Sequence, residues 1–121
     1  MQKYFFFFPL VTLALLTASC KKDKVSAVVI DPLCTDTISF SQKIQPLINQ
    51  NCSTSGCHDA STQASGYNLT NHANIAANAT IILSAMRSES GVTPMPLGGP
   101  MLPDSLIQQF SCWNQQGKMN N

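Results

Sequence analysis

The segment Cys52-Ser53-Thr54-Ser55-Gly56-Cys57-His58 holds the residue types and spacing that could do chemistry in this 121-residue chain. Three chemistries suit it. Covalent haem attachment uses two thiols, which bond the porphyrin vinyl groups, and an adjoining histidine, which ligates iron; its usual spacing is Cys-x-x-Cys-His. The loop here is longer by two residues. Ser53, Thr54, Ser55 and Gly56 are small, and glycine accepts positive φ, so the excess can bulge outward. In the second chemistry, Cys52 and Cys57 close a local disulfide. In the third, Cys52, Cys57 and His58 hold zinc with a further ligand such as His72, because Cys-x4-Cys lies within zinc-site spacing. The haem chemistry is favoured, with disulfide next and zinc last.

The elements that must position these residues are helical. Phe40, Ile44, Leu47 and Ile48 recur at helical spacing within Ser39–Gln50, with Ser39 or Ser41 as N-cap. Pro46 is expected to kink this helix or delay its start. Residues 59–68 read as a polar loop. Thr70 or Asn71 caps a second helix that runs to Asn78 around Ile75. A third helix is expected over Thr80–Arg87, with Ile82, Leu83 and Met86 inward and Gly91 ending it. Residues 92–103 hold four prolines and two glycines and cannot be helical. Pro103 opens a last helix that carries Leu106, Phe110 and Trp113 on one face, and Gly117 stops it after Gln116. No internal repeat and no convincing strand pattern is present, so the fold class is all-α.

The order of these features carries a resemblance. Phe40, Ile44 and Pro46 come first, then Cys52, Cys57 and His58, then Met95-Pro96, then Trp113 and Gly117. Over residues 36–121 the chain resembles the class I c-type cytochrome domain, in the Cys-x4-Cys-His form found in Bacteroidetes cytochrome c lipoproteins. That resemblance implies a small cytochrome c-like fold of three to four helices around one covalent haem c, with a Pro/Gly-rich methionine loop. It implies thioether bonds at Cys52 and Cys57, His58 as proximal iron ligand, and Met95 as distal ligand with Met101 as the alternative. It further implies a single-electron carrier, with redox partner proteins and no catalytic residues. Met86 is expected in the core and His72 facing solvent. With Cys20 lipidated and two cysteines on haem, Cys34 and Cys112 remain of the five. The first and last helices cross in that family, which implies a Cys34–Cys112 disulfide. Two alternatives stay open: an open iron site of peroxidase-like or gas-binding character, and a non-haem lipoprotein with Cys52 bonded to Cys57.

The N-terminus reads as targeting. Lys3 precedes the apolar run Phe5–Leu16, which is too short to span a bilayer as a helix. Leu16-Thr17-Ala18-Ser19-Cys20 resembles a bacterial lipobox, with Thr17 where leucine is usual; this implies lipid on Cys20. The expected organisation is a signal peptide over 1–19, a lipid-anchored tether over 20–33 and the domain over 34–121. The protein is expected to be exported, membrane-attached on the periplasmic or cell-surface side, and monomeric. Charged residues form 11% of the chain and the net charge is +1. From Cys34 on, three basic residues face four acidic ones, giving −1. Nucleic-acid binding, which needs a clustered basic footprint, is excluded as an expectation.

Overall fold

A computed structural model describes residues 33–121. The expected signal peptide, the lipidated Cys20 and nearly all of the tether lie outside the described residues. Within them the fold is a small all-α arrangement. A π-helical turn over Phe40–Ile44 runs into α1 (Gln45–Asn51), followed by a short 3-10 turn at Ala64–Gly66. Then come α2 (His72–Ala77), α3 (Ala79–Met86) and α4 (Asp104–Gln115).

Ser39 is the N-cap of the first helical stretch, its side chain accepting from the Gln42 N–H. The α-helix starts only at Gln45, with Pro46 in its first turn, the late start expected of the proline. Proline has no N–H to direct into an α-turn, and the turn just before it is wound one residue wider. Ile44 and Gln45 donate to Ser39 and Phe40, five residues back. The first free N–H groups of a helix need partners; here Asn121 supplies them, taking the N–H of Phe40 on Oδ1 and that of Ser41 on its carbonyl. Asn71 caps α2 by accepting from Asn74. Gly117, at φ 93°, lets the chain turn after α4.

The helices meet over one apolar core. α4 packs on α3 and on the π-turn, and α2 packs on α3. Phe40, Ile44 and Ile48 from the first stretch meet Phe110 and Trp113 of α4, with Ile75, Ile82 and Met86 completing the centre. The Phe40 and Trp113 rings lie 5.8 Å apart and the Phe110 and Trp113 rings 5.4 Å apart, in tilted arrangements. His72 is not the solvent-facing residue expected. Its ring stands edge-on to Phe40 at 4.7 Å, and its Nε2 lies 2.8 Å from the Lys118 carbonyl. Ile107, absent from the expected inner face of α4, is buried there.

A disulfide joins Cys34 to Cys112 across 78 positions, tying the segment before the first helix to α4. Among the described residues no helix is long and apolar enough to cross a membrane.

Candidate functional site

Cys52 ends α1, donating its N–H to Ile48 at 2.8 Å. The chain then turns back tightly. Cys57 donates to the Thr54 carbonyl at 3.0 Å, and His58 donates to the Cys52 carbonyl at 3.1 Å. Gly56 takes φ 84°, the conformation that the small-residue loop was expected to need there. Asp59 fixes the outer side of this turn. Its carboxylate accepts the N–H groups of Gly56, Ser61 and Thr62 and the Ser61 hydroxyl. The Ser61 hydroxyl first, then the Thr62 N–H, hold the Asp59 carboxyl far below the ordinary carboxylate range.

His58 is anchored from its ring as well. Nδ1 lies 3.2 Å from the Tyr67 carbonyl. A carbonyl only accepts, so Nδ1 carries the hydrogen there and Nε2 keeps its lone pair when the ring is neutral. Leu69 donates its N–H to the His58 carbonyl at 2.9 Å, binding the loop to the segment before α2.

These residues border a cavity of about 630 Å³. Cys52, Cys57 and His58 form one side, and Tyr67 and Leu69 adjoin them. Ile81, Ile82, Ala85 and Met86 of α3 and Met95, Pro96, Leu97 and Leu102 also line it. Met95 is held by its N–H to the Ala85 carbonyl at 3.1 Å, and the Met95–Pro96 peptide bond is cis. Met101 is 58% exposed and does not border the cavity. Met86, expected as core filler, is buried and also reaches the cavity wall.

The two thiols differ in setting. Both are free; Cys57 is exposed and Cys52 is buried. Burial, and secondly the charge of a nearby Cys57 thiolate, push the Cys52 thiol up to about 11. Cys52 is therefore a neutral thiol at ordinary pH.

The haem reading is corrected by these features. Among the described residues no three His, Cys, Asp or Glu side chains gather into a group that could hold a metal ion. His72 is committed to the Lys118 carbonyl and the Asp59 carboxylate to its own turn. The Cys34–Cys112 bond is the one expected from the sequence, and Cys52 and Cys57 are free. The resemblance to a c-type cytochrome domain, the bound haem c and the single-electron carrier are therefore not retained. Neither are the iron-ligand roles of His58 and Met95 nor the zinc alternative. The non-haem alternative also changes in detail, because its disulfide is Cys34–Cys112 and not Cys52–Cys57.

Sequence reasoning thus named Cys52, Cys57, His58 and Met95, and the fold brings all four to one cavity. It missed Leu69, Ile81, Ala85 and Leu102 as cavity residues and Asp59 as the residue fixing the loop. The one available signal was the Asp59-x-Ser61-Thr62 spacing, typical of an Asx-type turn. No protein-family model, curated protein or solved structure matches this chain.

Proposed function

We propose that this chain is a disulfide-stapled, helical binding domain that holds a small, largely apolar molecule in the cavity between the Cys52–His58 loop and α3. The cavity itself carries the reading. Its volume of about 630 Å³ falls in the range of small-molecule sites, and most of its lining surface is apolar, with polar side chains from Gln50, Asn51, Thr54, His58, Ser65, Tyr67 and Thr93. The polar groups suggest the ligand's chemistry. His58, with Nδ1 committed to Tyr67, offers Nε2 as an acceptor. A ligand with an apolar body and one hydroxyl fits this set. In this reading the cavity is a binding site and the protein acts as a monomer. It is exported and tethered to a membrane through lipid on Cys20. The Cys34–Cys112 bond supports that placement, since such bonds persist in oxidising compartments.

The test is titration of the purified domain with the uncharged fluorophore N-phenylnaphthylamine. One saturable site with blue-shifted emission is expected. Ala85→Phe, which adds a ring on the α3 wall, should weaken it while helical content is retained. Non-saturating binding, or identical binding by a folded Ala85→Phe variant, would remove the reading.

A further inference from the structure

The thiols of Cys52 and Cys57 are left over by the binding reading, and they are placed as a pair. The bond from His58 N–H to the Cys52 carbonyl folds the loop so that residues 52 and 57 begin and end one closed turn. Both side chains border the same cavity. One is exposed and one is buried, while the chain's other described cysteines are already bonded to each other. A disulfide between Cys52 and Cys57 would use neither Cys34 nor Cys112. Gly56 lies within this turn at φ 84°, in the left-handed region that glycine tolerates.

We propose that Cys52 and Cys57 form a dithiol–disulfide couple that exchanges with disulfide-bearing substrates at the cavity mouth, Cys57 attacking and Cys52 resolving. The exposed Cys57 thiolate attacks one sulfur of a substrate disulfide. A Cys57–substrate S–S bond forms, the substrate S–S bond breaks, and the departing thiolate takes a proton from solvent. Cys52 then loses its proton to solvent base and attacks the Cys57 Sγ. The internal disulfide forms and the second substrate thiol leaves. The dithiol has given up two electrons and two protons, and one substrate disulfide has become two thiols. The reverse sequence, driven by a dithiol reductant, restores the starting state. This activity is independent of what the cavity binds.

The experiment uses the purified chain with its Cys34–Cys112 bond intact and oxidised glutathione as the disulfide. Free thiols are counted, and intact mass and disulfide-linked peptides are read over time. The wild type should lose both free thiols, retain no glutathione and yield a Cys52–Cys57 linked peptide that dithiothreitol reverses. Cys52→Ser, and Cys52→Ala as a second variant, should stop at one glutathione bound to Cys57. Resolution of the mixed disulfide in the wild type should quicken about tenfold per pH unit from pH 7 to 9, following the Cys52 thiolate fraction. A wild type that keeps one stable glutathione on Cys57, or keeps both thiols under full oxidation, would overturn the proposal. So would a resolution rate indifferent to pH.

Discussion

The backbone N–H of His58 donates to the carbonyl of Cys52 over 3.1 Å, and that bond brings both ends of the thiol loop to the wall of one cavity. The Asp59 carboxylate supports it from outside by gathering the N–H groups of Gly56, Ser61 and Thr62. The outer side of the loop is thus held by one ionised side chain.

Asp59→Asn should loosen this turn. Its neutral amide accepts more weakly than a carboxylate. Amide hydrogen exchange at Gly56, Ser61 and Thr62 should accelerate while exchange in α4 is unchanged. The native state holds the Asp59 carboxyl below its ordinary range, so it binds fewer protons than the unfolded state in the acid region. Its stabilisation is complete above the ordinary value near pH 4 and is lost as pH falls below it. A stability profile from pH 5 to 2 should be flatter in Asp59→Asn than in the wild type.

Reducing or removing the Cys34–Cys112 bond should destabilise the domain strongly. The bond spans 78 positions, and closing so long a loop stabilises by about 4 kcal/mol on a chain-entropy basis. Denaturant midpoints for Cys34→Ala/Cys112→Ala, compared with the oxidised wild type, measure this. A double variant as stable as the wild type would mean the core holds the first helix without the crosslink.

Cys52 gives an alkaline signature. Its native thiol titrates near 11 against an ordinary value of 9.0. The native state thus binds more protons than the unfolded state between these values, and stability falls as pH rises through them. The contribution is fully present below pH 9 and amounts to about 3 kcal/mol over the two-unit window. Chemical denaturation from pH 8 to 11 should show this slope in the wild type, and Cys52→Ala should lack it. Iodoacetamide at pH 8 should label Cys57 well before Cys52.

Trp113→Phe should cost about 1–3 kcal/mol and loosen the C-terminal segment. The indole Nε1 donates to the Met119 carbonyl at 2.9 Å, and phenylalanine cannot. Faster exchange at the amides of Phe40 and Ser41, which bond to Asn121, would report that loosening.

Caps and apolar periodicity made the helices legible in the sequence. Ser39, Asn71 and Gly117 act where their chemistry predicts, and Phe40, Ile44, Ile75, Ile82 and Phe110 are buried as their spacing requires. The widened turn before Pro46 was not legible, because proline signals that an α-turn will be disturbed but not how. His72 looked like a polar residue at a helix start; its packing comes from Phe40, Trp113 and Lys118, all distant in sequence. The loop spacing at Cys52, Cys57 and His58 showed that chemistry could occur there but not which chemistry. Thiol burial and the surrounding donor set decide that, and both are three-dimensional. The cavity escaped notice for the same reason, since its walls come from segments separated along the chain.

Mapping the ligand site residue by residue tests the central claim most directly. Amide and methyl NMR spectra recorded during titration with N-phenylnaphthylamine should show shifts at Cys52, His58, Leu69, Ile82, Ala85 and Met86, which border the cavity. Phe110 and Ile107, buried elsewhere in the core, should stay still. Saturable shifts confined to the first group are the predicted result. Shifts spread over exposed apolar residues such as Leu33 and Met119, with none at Ala85 or Met86, would contradict the account.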